Sequence, residues 1–82
     1  MELSNILKQV RIEVGMTQVE LATALHLSFS TINRWENGRA RPNRLASVTL
    51  LTQLKEKGAS QESLSKLENA LFDRKASGRG VS

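Results

Sequence analysis

Residues that stop helices and residues that start them recur in this chain at intervals too short for anything but a string of short helices. Gly15, Gly38 and Gly58 stand where helices should end, and Thr17, Ser28, Asn43 and Ser60 stand where the next should begin. Between these marks the apolar residues recur with a helical period, and no segment alternates convincingly with period two. Leu3, Ile6, Leu7, Val10 and Val14 make the first stripe, and Leu21, Ala22 and Leu25 the second. Ile32 and Trp35 make a third. Leu45, Val48, Leu51 and Leu54 belong to a fourth helix, and Leu64, Leu67, Leu71 and Phe72 to a fifth. The spacing predicts an all-α chain.

Thr17 is followed three residues later by Glu20, the pattern of a reciprocal capping box, and Met16 with Leu21 has the spacing of a hydrophobic staple. Leu27 and Ile32 repeat that spacing around Ser28. The twenty residues from Gln18 to Asn37 therefore read as two short helices joined by a tight corner. Ala22 is small enough for a close helix crossing, and Leu21, Leu25, Leu27, Ile32 and Trp35 are expected to glue the pair to the core. Ser28, Phe29, Ser30, Thr31, Asn33 and Arg34 are left for the outer side of the later helix.

Size and composition exclude several classes of function. Eighty-two residues make one domain, taken to span 1–75, with 76–82 (ASGRGVS) as a disordered tail that has nothing to bury. With no cysteine and one histidine, neither a thiolate nor a histidine-clustered metal site is expected, and no cofactor is implied. No run approaches the roughly 20 apolar residues that cross a bilayer, so no membrane partner is expected. The amphipathic start MELSNILKQV carries an acid and is not a signal peptide, which fits a cytoplasmic protein. The serines lack the context of a nucleophile elbow and the glycines are dispersed rather than gathered into a phosphate-cradling loop, so no enzyme is expected.

The formal charge of +4 is concentrated. Residues 33–44 hold Arg34, Arg39, Arg41 and Arg44 against Glu36 alone, a local balance of +3 that leaves the rest of the chain near neutral. An arginine cluster beside an outward-facing polar helix is the electrostatic footprint of a phosphate backbone. A helix-turn-helix makes the same demands: a small residue at the crossing, apolar glue beneath, and polar groups that enter the major groove.

The stretches GMTQVELATAL, LSFSTINRWENG and RARP carry a resemblance to the phage-repressor class of helix-turn-helix domains, also called the xenobiotic-response-element family. It covers about half of the chain, from about Leu7 to Ala46. The resemblance implies a lambda-repressor-like bundle of about five helices with the helix-turn-helix at its centre, binding double-stranded DNA as a homodimer. One departure falls at His26, where that family most often has a glycine with positive φ; histidine is among the residues that tolerate the conformation.

Roles follow residue by residue. Arginine can form two bonds to guanine and asparagine two to adenine, so Arg34 and Asn33 are candidate base readers, together with the less discriminating Ser30. For Arg34 the choice between base and phosphate stays open. Phe29 suits the methyl of thymine, or packs on Leu27 or a partner subunit. Gln18 and Thr17 stand at a helix N-terminus that favours phosphate, and the resemblance implies a backbone contact for Gln18. Ser28, Thr31, Asn37, Arg39, Arg41 and Arg44 complete the candidate phosphate set. Ala22 and Trp35 are structural. The resemblance pairs Glu36 with Arg11 in a partly buried ion pair that braces the motif.

Three functions fit. The first is a sequence-specific transcriptional regulator, a repressor acting as a dimer through a recognition helix at 28–37. The second is an antitoxin that represses its own operon and holds a toxin on the fifth helix and the tail, where Leu64, Leu67, Leu71 and Phe72 exceed the needs of a small core. The third is a DNA-targeting subunit of a restriction–modification or methyltransferase system, because SFSTINRWENGRARPNRLA looks similar to segments attached to such enzymes.

Overall fold

A computed structural model describes residues 2–72; the proposed tail at 76–82 and the domain limit at 75 lie outside the described residues. Five helices follow one another: α1 (Leu3–Glu13), α2 (Gln18–Ala24), α3 (Phe29–Glu36), α4 (Arg44–Glu56) and α5 (Gln61–Leu71). There is no strand among the described residues. This is the all-helical bundle expected from the punctuation.

Four of the five helices end in the same way. The residue two beyond the cap returns its N–H to a carbonyl five residues back, as in Met16 to Arg11 (3.1 Å), Leu27 to Ala22 (2.9 Å), Arg39 to Arg34 (2.9 Å) and Ala59 to Leu54 (3.0 Å). That closure needs a left-handed residue just after the cap. Gly15, Gly38 and Gly58 supply it at three ends, and His26, with φ of 59°, supplies it at the corner between α2 and α3. The starts are equally regular. Thr17 accepts from the Glu20 N–H while the Glu20 carboxylate accepts from the Thr17 N–H. Ser28, Asn43 and Ser60 cap the three helices that follow.

Leu3, Ile6, Leu7 and Val10 of α1, Leu21, Ala22 and Leu25 of α2, and Ile32 and Trp35 of α3 meet Leu50 and Leu54 of α4 and Leu67 of α5 in one core. The helix α5 packs on α1 and α4, and α3 packs on both α1 and α2. The outer end of α5 is tied to α1 by Glu13, whose carboxylate accepts from the Ser60 N–H (3.0 Å) and the Ser63 hydroxyl (2.5 Å). An acid at the start of a helix also complements the positive end of the helix dipole.

Two sequence-based expectations need correction. Leu27 is 38% exposed and stands outside the core, so it does not glue the motif. On α4 the inward arc is Ser47, Leu50 and Leu54, whereas Leu45 and Val48 are exposed. Apolar residues cover more than half the circumference of this helix, so two overlapping stripes share Leu51 and Leu54. Packing against α5 chooses between them. Ser47 occupies the buried arc without penalty because its hydroxyl donates to the Asn43 carbonyl (2.8 Å).

Candidate nucleic-acid interface

The later helix of the corner, α3, has two chemically distinct sides. Ile32 and Trp35 point into the core, and Glu36 joins them, 9% exposed. Phe29, Ser30 and Arg34 lie on the open side, with Phe29 half-exposed. Thr31 and Asn33 flank the boundary and are half-buried. At the N-terminus the hydroxyls cluster: Ser28 Oγ lies 3.2 Å from Ser30 Oγ and 3.0 Å from Thr31 Oγ1 and accepts from the Thr31 N–H. Three hydroxyls and the first N–H groups of α3 thus converge on one exposed end.

Beneath α3 sits a buried charge. Arg11 donates from Nε to Glu36 Oε2 (2.6 Å), from Nη2 to Glu36 Oε1 (3.0 Å) and from Nη1 to the Met16 carbonyl (2.8 Å). Only 11% of the Arg11 side chain and 2% of the Glu36 side chain reach solvent. The hydrogen bond to Glu36 raises the Arg11 pKa above its already high ordinary value, and burial works against it. The pair joins α1, α3 and the corner between α1 and α2. It accounts for an acid so close to a cluster of arginines.

Gln18 does not simply stand at the surface. Its Nε2 donates to Glu36 Oε1 (2.9 Å), and its Oε1 accepts from Asn33 Nδ2 (3.3 Å). Asn33 Oδ1 in turn accepts from Asn37 Nδ2 (2.9 Å). Five of the sequence-proposed site residues, Arg11, Glu36, Gln18, Asn33 and Asn37, are therefore one continuous hydrogen-bonded series. Nothing local in the sequence signals the link between Gln18 and Asn33, which stand on different helices.

The arginine cluster divides. Arg41 donates from Nη2 to the Ala70 carbonyl (2.9 Å), and the Arg44 guanidinium lies 5.8 Å from the centre of the Phe72 ring. Both thereby hold the last turn of α5. Arg34 and Arg39 are exposed and have no side-chain partner among the described residues. Thr17 is committed to its capping box, although its hydroxyl hydrogen remains to donate. Ala22, 3% exposed, lies in the core formed where α2 meets α3.

A family model described as helix-turn-helix matches residues 7–55. The chain belongs to the helix-turn-helix family of the phage-repressor, or xenobiotic-response-element, type. This is a DNA-binding domain, and the match spans α2 and α3 together with most of α1 and α4. The Type II methyltransferase M1.ScrFI of Lactococcus lactis subsp. cremoris is 42% identical over an alignment of 53 residues that covers 61% of this chain. The aligned stretch spans only 14% of that methyltransferase. No solved structure matches the chain. Among the described residues of this helix-turn-helix protein, no helix is long and apolar enough to cross a membrane.

Proposed function

We propose that this helix-turn-helix protein is a sequence-specific transcriptional regulator, a repressor that binds double-stranded DNA as a homodimer. The recognition helix at 28–37 enters the major groove with Phe29, Ser30, Asn33 and Arg34 toward base edges. Thr17, Gln18, Ser28, Thr31, Asn37 and Arg39 surround that helix and engage phosphates. Arg41 and Arg44 take phosphates only with donors left over from holding α5. The single observation that carries this reading is the two-sidedness of α3: an inner side locked by Ile32, Trp35 and Glu36, and an open side with Arg34 unpaired among the described residues.

Two subunits of a dimer would read half-sites about 34 Å apart, with phosphate contacts supplying much of the affinity and base contacts the selectivity. Selection of bound fragments from a random DNA pool tests the reading. Enrichment of a two-fold sequence supports it, and recovery of unselected DNA would refute it. Arg34→Ala should alter the enriched sequence if the side chain reads a base. Arg39→Ala should weaken binding to every fragment alike.

The similarity to a methyltransferase segment favours a second reading, in which the same surface targets a restriction–modification system. The two differ in what the selected sequence is. A promoter operator supports the regulator, and the recognition site of a co-encoded methyltransferase supports the targeting subunit. Of the apolar residues proposed to hold a toxin in the antitoxin reading, Leu67 is fully buried and Leu64 and Leu71 pack against the core, while the tail of that surface lies outside the described residues.

A further inference from the structure

We infer that Glu36 and Gln18 are positioning residues that set which way the Asn33 amide faces, and so which base edge Asn33 can read. The inference rests on the DNA-binding reading and concerns the polarity of its recognition helix. Glu36, ion-paired to Arg11, is an acceptor only. Gln18 must therefore present its NH2 to the carboxylate, which it does at 2.9 Å, and its carbonyl oxygen is turned toward α3. Facing that oxygen, Asn33 must present its own NH2, at 3.3 Å. The Asn33 oxygen then points to Asn37, whose NH2 donates to it at 2.9 Å.

Each amide is oriented by the one before it, and the series starts at a buried charge. Reversing Asn33 alone would set its oxygen against the Gln18 oxygen and its NH2 against the Asn37 NH2, losing two hydrogen bonds at once. An isolated asparagine on a helix surface turns over at almost no cost. This one cannot. One N–H and one oxygen lone pair of Asn33 remain unused in the series, in a fixed order along the helix. Adenine presents an acceptor at N7 and a donor at N6, also in fixed order, so an amide locked in one sense accepts one orientation of that edge and rejects the reverse.

The test uses the full chain with Gln18→Leu, Asn33→Ala and the double variant, measured against the selected sequence and its single-base variants. Gln18→Leu leaves the Arg11–Glu36 pair in place but removes the orienting link. Discrimination at one base position should then fall about tenfold, within the range a bidentate contact supplies. In the Asn33→Ala background Gln18→Leu should cause no further loss at that position. Gln18→Leu also removes a phosphate contact, so a uniform loss of affinity accompanies it. Unchanged discrimination, or the same loss of discrimination with and without Asn33, would overturn the inference while leaving the DNA-binding reading intact. If the unaltered chain showed no sequence preference, the DNA reading itself would fail. A measurement without DNA separates the two failures: the Asn33 side-chain NH2 resonances should shift and exchange faster with solvent in Gln18→Leu. Unchanged resonances would also overturn the inference.

Discussion

The inner and outer sides of α3 are drawn from the same eight residues yet have opposite surroundings. Inside, Ile32 and Trp35 are packed and Glu36 is held by Arg11 and Gln18. Outside, Ser30 and Arg34 meet solvent. The arginine segment after α3 repeats the contrast, with Arg39 exposed while Arg41 and Arg44 are drawn to α5. Residues of one charge, close in sequence, thus do different work: some hold the scaffold, and others stay available to a ligand. Stability and DNA affinity should accordingly respond to different substitutions on a single helix.

The inner side should give the largest effects on folding. Trp35→Ala is expected to cost about 3–5 kcal/mol, as for large aromatic truncations in cores. Glu36→Ala leaves the Arg11 guanidinium buried without its carboxylate and should cost about 3 kcal/mol, the low end for a broken buried pair because Arg11 keeps some solvent contact. Thermal melts check both, and an unchanged melting temperature for Glu36→Ala would remove the bracing role. The corner beside α3 comes next. His26→Val puts a β-branched residue at φ of 59° and should cost about 1–2 kcal/mol.

Arg41 and Arg34 sharpen the contrast directly. Arg41→Ala should lower stability by about 1 kcal/mol through the lost bond to Ala70, with faster amide exchange in the last turn of α5. Arg34→Ala should change stability by less than about 0.5 kcal/mol and alter DNA selection instead. A loss of stability for Arg34→Ala equal to that for Arg41→Ala would erase the distinction between the two arginines. Arg39→Ala should reduce the steepness of the salt dependence of binding by about one phosphate contact.

The smallest expected effect lies far from α3, at the contact between Glu13 and α5. The Ser63 hydroxyl foremost, then the Ser60 N–H, holds the Glu13 carboxyl below its ordinary value of 4.5. A depressed folded-state value means that the ionised form favours folding. That contribution is present above pH 4.5 and is lost as pH falls through the lower value of the folded chain. Wild type should therefore lose more thermal stability than Glu13→Gln when acidified across this window. Parallel losses in the two proteins would show that ionisation of Glu13 contributes nothing to folding.

Local chemistry by itself determined the helices of this protein. Caps and left-handed stops act over three to six residues, so Thr17 with Glu20, Ser28, Asn43, Ser60 and the three glycines mark the boundaries without reference to any long-range contact. The same short-range patterning exposed the corner, the inward Trp35 and the family resemblance. Tertiary structure decided what periodicity left degenerate or silent. Which arc of α4 turns inward depends on α5, because apolar residues span more than one stripe. Whether Arg41 and Arg44 remain with Arg39 or join α5 depends on where a helix thirty residues onward ends. The resemblance named the Arg11–Glu36 pair, but its extension through Gln18 to Asn33 exists only once the helices meet, since hydrogen bonds between distant side chains leave no periodic trace in the chain.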